Sequence, residues 1–154
     1  AFTLADGAEM LGWDVLALGL PAADQPFERG RYRQHLELPG VWLERGTLSA
    51  DDGVLLDSPL GLAGQRVLGT LWFAAGTALA PARRDALLDA ARGVAAGHAL
   101  ARQAGATAPN DRVVVLRALA PRVEPLMELF KVVRHAWRAA AWGLDAVSPR
   151  IWTT

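Results

Sequence analysis

The chain has no cysteine. That excludes disulfides, thiolate nucleophiles and thiolate metal ligands, and it fits a reducing compartment. Histidine is scarce too: His35, His98 and His135 lie far apart, and no pair has a ligand spacing such as His-x-x-x-His. No apolar run approaches the roughly 20 residues that span a bilayer. The opening Ala1-Phe2-Thr3-Leu4-Ala5-Asp6-Gly7 lacks the basic, apolar, then small-residue order of a signal peptide. It lacks an initiator Met and runs at once into strand-like sequence, which reads as an internal cut with an upstream portion missing. An excess of one charge is also absent, since 16 basic residues balance 16 acidic ones. No long-range field then draws in polyanions, so neither nucleic acid nor a membrane is expected as a partner.

What is present argues for a packed globule. Hydrophobic residues make up 52% of the 154 positions and charged residues 21%, which excludes a disordered chain. The length suits one domain or fragment spanning 1–154. The first seventy-odd residues punctuate like β structure. Residues 10–18, bounded by Gly7 and Gly19, form an apolar run suited to a strand buried on both faces. Residues 31–38 alternate, with Tyr32, Gln34, Leu36 and Leu38 on one face and Arg31, Arg33, His35 and Glu37 on the other. Pro39-Gly40 is a turn, and 41–48 completes a hairpin. Residues 66–74 are a third pairing candidate.

From Pro81 the period changes. Pro81 suits the first position of a helix, and Leu87, Leu88, Ala91, Val94 and Ala95 recur at helical spacing over about 81–96. Gly97 reads as a left-handed stop. Residues 113–119 read as a β-branched strand, with a further strand over 100–106. A last helix covers about 123–142, with Leu126, Phe130, Val133, Trp137 and Ala140 as its apolar face. The expected class is α+β: a β-rich amino-terminal part, then two helices packed on one face of a small sheet.

Little in this pattern announces chemistry. Ser49, Ser58 and Ser148 sit in turn or pre-proline contexts, without a Gly-x-Ser-x-Gly frame. Gly61-Leu62-Ala63-Gly64 is too sparse in glycine for a phosphate loop and reads as a tight connection. Asp51-Asp52 before Gly53 is a turn signal. His35 and Glu37 share a strand face, which makes them a weak candidate metal or acid/base pair beside the plainer reading of a solvated pair. Of the six tryptophans, Trp13, Trp42, Trp72, Trp137 and Trp142 read as core. Trp152, close to the end and beyond Pro149, should dock on the body or on a partner.

Several islands in order carry a resemblance. They are Trp13-Asp14, then Gly19-Leu20-Pro21-Ala22-Ala23-Asp24-Gln25-Pro26-Phe27-Glu28-Arg29-Gly30, then Trp42-Leu43-Glu44-Arg45, then Ser58-Pro59-Leu60-Gly61-Leu62-Ala63-Gly64, and finally Pro149-Arg150-Ile151-Trp152. Together they resemble the carboxy-terminal portion of the urease accessory protein UreD (UreH) family. The family frame Gly-Arg-Pro-x-x-Gly-Glu-x-Phe-x-x-Gly survives at Gly19, Pro21, Phe27 and Gly30. Leu20, Asp24 and Gln25 replace its Arg, Gly and Glu, and Gln25 cannot carry the charge of a glutamate lining a metal or water path.

The resemblance implies a cytoplasmic, non-enzymatic chaperone whose full-length form has a β-helix-like core, with this β-rich part at its edge. It implies binding to urease apoprotein and UreF, in an assembly that includes the GTPase UreG. It further implies assistance to nickel insertion, with no tightly held cofactor and nickel in transit, along an internal tunnel. The family-motif positions Trp13, Asp14, Gly19, Pro21, Gln25, Phe27, Gly30, Glu44, Arg45, Gly61, Gly64, Pro149, Arg150 and Trp152 become candidate partner-binding residues. Two other classes stay open: a small enzyme using His35 and Glu37 with Arg33 as an anion clamp, and a structural dimerisation module built on the two helices.

Overall fold

A computed structural model describes residues 1–149. Six strands and three α-helices alternate along the described chain. The strands are β1 (Glu9–Ala17), β2 (Arg31–Leu38), β3 (Trp42–Ser49), β4 (Val67–Ala75), β5 (Ala104–Thr107) and β6 (Val113–Ala120). The helices are α1 (Gly53–Asp57), α2 (Pro81–Ala96) and α3 (Val123–Trp142). The α+β expectation therefore holds.

Strands β1, β4, β6 and β5 form one antiparallel sheet in that order, and β2 and β3 form a separate hairpin. The 66–74 candidate thus becomes the inner strand β4, paired with β1 and β6 and not with the hairpin. Its composition explains the position: from Leu71 to Ala75 every residue is buried, as a strand covered on both faces requires. The sheet also joins β1 and β4 of the first half to β5 and β6 of the second, so the change of period at Pro81 divides the sequence and not the sheet.

Helices α2 and α3 cover one face of the sheet. Leu71, Phe73, Leu116, Leu87, Leu126, Phe130 and Trp137 meet there in one core. Helix α3 buries Leu126, Leu129, Phe130, Val133 and Trp137, so Leu129 joins the expected stripe. Ala140 is exposed, a correction; the helical stripe drifts, and Ala141 packs on the core in its place. Pro125 sits in the first turn of α3, where its missing N–H costs no intrahelical bond. The opposite face of the sheet is partly covered by the hairpin, with Leu38 and Trp42 packing on Trp72, Val113 and Val115.

Three further expectations are corrected. The strand expected to be buried on both faces is half-buried at every residue from Glu9 to Ala17, because among the described residues only β4 pairs with it and it forms the sheet's edge. Val15 and Leu16 remain half-buried while Leu18 is buried, in keeping with an apolar edge that the described residues leave partly uncovered. The strand expected over 100–106 shrinks to Ala104–Thr107, because the chain turns after α2 and His98 Nδ1 accepts the Leu100 N–H at 3.1 Å. Gly97 ends α2 in right-handed geometry, φ −90°; the left-handed cap is Gly143 after α3, φ 62°.

The Asp51-Asp52 turn also starts a helix. Asp52 caps α1 by accepting the Leu55 N–H at 3.0 Å. Asp52→Ala should therefore cost about 0.5–1 kcal/mol, measurable as a lowered urea midpoint.

Candidate functional site

The hairpin carries two chemically different faces. Its inner face, with Gln34 and Glu44, looks onto the sheet; its outer face, with Arg33, His35 and Arg45, looks to solvent. Asp14 of β1 lies beside Thr70 of β4, which lies beside Arg117 of β6. These three polar residues form one row across an otherwise apolar sheet. Strand pleating puts them on the face opposite the helices, since the odd-numbered neighbours Leu71 and Phe73 point into the helical core.

The hairpin closes over this row through side-chain bonds. Glu44 accepts from Thr70 Oγ1 at 3.1 Å and from Arg117 Nε and Nη2 at 3.2 and 2.6 Å. Gln34 Nε2 donates to Asp14 Oδ2 at 2.9 Å. Thr70 is buried and needs its bond to Glu44, because an unmet hydroxyl in that position would be costly. The Tyr32 phenol, on the same hairpin face, is pushed up by burial and secondarily by the Asp14 charge, so it stays neutral. Between hairpin and sheet runs a cleft lined by Gln34, Glu44, Thr70, Gln103, Thr107 and Arg117.

The cleft sets these polar groups among an apolar lining that includes Leu62, Leu68 and Leu119. The Arg117 fork saturates both Glu44 oxygens, whereas no ion pair among the described residues neutralises Asp14. Among the described residues no group of three His, Asp or Glu side chains is placed to hold a metal ion.

His35 and Glu37 do meet, Nε2 to Oε2 at 3.0 Å, on the outer face. The groove beside His35 is lined by Arg33, Arg45 and Thr47. Its added polar groups are cationic and favour an anion over a metal ion. His135 sits apart on α3, and burial with Arg134 and Arg138 pushes it toward the neutral form.

The loop after β1 explains the glycine and proline frame. Gly19 has φ 78°, and a Cβ there would meet the Gln25 carbonyl at 2.4 Å. Pro21 opens a short 3-10 turn, and Gln25 N–H returns to the Leu20 carbonyl at 3.2 Å. Phe27 lies near Gly30, whose φ is 119°. Gly61 is pressed on the Leu55 carbonyl, where a Cβ would come within 2.1 Å, and Gly64 has φ 75°. Trp13 is half-buried on the helical side of the sheet, opposite its neighbour Asp14. Pro149 is half-buried. The expectations for Arg150 and Trp152 lie outside the described residues.

Of the dispersed candidate positions, Glu44 and Gly61 line the cleft, and Asp14 lies beside it, bonded to the lining residue Gln34. Residues 1–153 match the family described as UreD urease accessory protein. The chain belongs to that UreD family. It is 59% identical over 153 residues to the urease accessory protein UreD of Leptothrix cholodnii, covering 99% of this chain and 55% of that protein. It is 61% identical over 150 residues to UreD of Verminephrobacter eiseniae, covering 97% of this chain and 54% of that protein. UreD of Variovorax paradoxus is 60% identical over 148 residues, covering 96% and 54%. The chain therefore spans about half the length of the curated UreD relatives it matches.

Sequence reading within the UreD frame found Asp14 and Glu44 but missed Thr70 and Arg117. The signal was available: each is a lone polar residue in an apolar strand, Val67–Ala75 or Val113–Ala120. Thr70 is buried and demands a partner, which is Glu44, and the exposed Arg117 pairs with the same carboxylate. Among the described residues, no helix is long and apolar enough to cross a membrane.

Proposed function

We propose that this region serves urease maturation as a non-catalytic scaffold, which binds urease apoprotein, UreF and UreG and helps nickel reach the urease active site. The observation that carries this reading is the match over 1–153 to a family named for urease maturation. The cleft adds a physical rationale. Nickel is cargo here, and a cargo cation is best served by scattered oxygen donors that bind weakly and let go. Asp14, the Gln34 amide and the Thr70 and Thr107 hydroxyls are donors of that kind on or beside the cleft. In this proposal no tightly bound cofactor is needed, the protein acts in the cytoplasm, and residues 1–154 work as one unit.

The enzyme reading requires His35 to face a pocket with a third polar group, a condition the groove with Arg33, Arg45 and Thr47 meets, so a turnover assay on the full-length protein is what separates it from the scaffold. A dimerisation module built on the helices would leave no apolar surface for another partner, yet Leu20, Val54, Leu60 and Val123 are exposed.

The test separates folding, assembly and delivery. Asp14→Ala in the full-length protein should leave co-purification with urease and UreF intact while lowering the nickel content and activity of the matured urease. Glu44→Gln should do the same, with an added stability loss of about 1 kcal/mol, because the amide oxygen still accepts and the exposed Arg117 is screened by solvent. Unchanged nickel content with both variants would remove the cleft from the delivery route. Loss of nickel only together with loss of co-purification would reassign these residues to assembly.

A further inference from the structure

The outer face of the hairpin gathers several arginines in a chain whose charges balance. Pleating places Arg31, Arg33, His35 and Glu37 of β2 on that face, with Leu43, Arg45, Thr47 and Ser49 opposite them on β3. Arg31, Arg33, His35 and Arg45 are all exposed. Arg45 lies directly across from His35 and diagonally from Arg33, within reach of long side chains. Arg29 extends the strip beyond the start of β2.

Arg66, Arg83, Arg84 and Arg117 each pair with a carboxylate. Among the described residues no ion pair engages Arg29, Arg33 or Arg45, and Arg31 meets only the nearby field of Asp51. Like charges side by side on a two-stranded sheet are destabilising, so the arrangement gains from an anionic partner laid across it. The surface is also concave at two adjoining places, one lined by Arg33, His35 and Arg45 and the other by Arg29 and Arg31 together with Glu28 and Asp51.

The geometry points to a docking surface for an extended acidic segment of a partner protein. Arginines two residues apart on a strand stand about 7 Å apart, the repeat of alternate side chains on a facing extended chain. Each guanidinium can then take one carboxylate in a two-bond fork. Leu43, 52% exposed beside Arg45, offers an apolar contact on the same face. A single small anion is a poor fit, because the arginines are strung along the strand and do not converge. Single-stranded nucleic acid is a poor fit as well. The face carries no Phe, Tyr or Trp for base stacking. The inference rests on the maturation reading only in expecting the partner to belong to that assembly.

The probe is a labelled synthetic peptide with glutamates at alternate positions, titrated with the protein and followed by fluorescence anisotropy. Binding should weaken steeply with added salt. The double variant Arg33→Glu with Arg45→Glu should lose about tenfold or more in affinity, equivalent to about 1.4 kcal/mol. A control pair on α2, Arg84→Glu with Arg92→Glu, makes the same charge change elsewhere and should leave affinity nearly unchanged. Circular dichroism of both variants checks that the fold is kept, as expected for exposed positions. Equal losses in the two variants, or no peptide binding by the wild type, would overturn the assignment. So would tighter binding of an oligothymidylate or of inorganic phosphate than of the peptide. Urease plays no part in this measurement, so its failure would leave nickel delivery standing, and failure of delivery would leave this surface standing.

Discussion

Trp137→Ala should lower the unfolding free energy by about 3–5 kcal/mol, the range for deleting a fully buried large aromatic. Trp137 has no exposed surface and lies between α2, α3 and the sheet. Its ring meets Phe73 edge-on, with centroids 6.4 Å apart, and its Nε1–H donates to the Leu87 carbonyl at 2.7 Å. One side chain thus fixes α3 against both α2 and β4. A second variant separates its two contributions. Trp137→Phe keeps much of the packing and loses the hydrogen bond, so it should cost about 1–2 kcal/mol beyond the smaller volume lost. For a chain of this size each kcal/mol shifts the thermal midpoint by about 2–4 °C, so the alanine variant should melt on the order of 10 °C lower. Urea denaturation followed by far-ultraviolet circular dichroism measures both. A loss below about 1 kcal/mol for Trp137→Ala would mean that the helical layer can repack around the gap.

The helical layer was legible because its information is local. Leu87, Ala91 and Ala95 on α2, and Leu126, Phe130, Val133 and Trp137 on α3, repeat at helical spacing, and burial follows the pattern. The hairpin was legible for the same reason, with period 2 on both sides of Pro39-Gly40. Strand order was not. Nothing within residues 67–75 states that they pair with 9–17 on one side and 113–120 on the other, since partner choice depends on contacts far apart in sequence. Edge position was hidden likewise: the apolar run of β1 looks like that of an inner strand, and only the missing neighbour reveals the difference.

The candidate cleft followed the same division. Asp14 and Glu44 stood out through short motifs, but their neighbours Thr70 and Arg117 come from strands 26 and 73 residues away from Glu44. Asp14 and Glu44 also do different physical work. Glu44 is held by two partners and ties the hairpin to the sheet, while Asp14 retains charge that the described residues leave unneutralised. A substitution at Glu44 therefore changes the cleft's shape and stability together, whereas one at Asp14 changes the charge beside it.

The second large effect expected is pH-dependent and centres on Glu9. This first residue of β1 accepts from Arg83 through both carboxylate oxygens and from Trp142 Nε1 at 2.7 Å. Arg83 also donates to the Ala141 carbonyl at 2.9 Å and lies over the Phe73 ring at 5.9 Å. The edge strand, the start of α2 and the end of α3 are thereby joined at one carboxylate that is only 16% exposed. The Arg83 hydrogen bond holds the Glu9 carboxyl below its ordinary value of 4.5, against the opposing pull of burial. A lowered folded-state pKa stabilises the fold above the unfolded value, and that contribution is lost as pH falls through the folded value. Glu9→Gln should therefore cost about 2 kcal/mol at neutral pH, toward the low end for a charged pair because the Arg83 side is about one-third exposed. Below about pH 4.5 the wild type progressively loses the same contribution, so the gap between the two proteins should narrow as the solution is acidified. Arg83→Ala should show a similar narrowing, with an added pH-independent loss from its bonds to Ala141 and its contact with Phe73. Urea midpoints measured from neutral pH down through the carboxylate range decide the matter. A gap that stays constant across that range would show that Glu9 contributes through shape and not through charge.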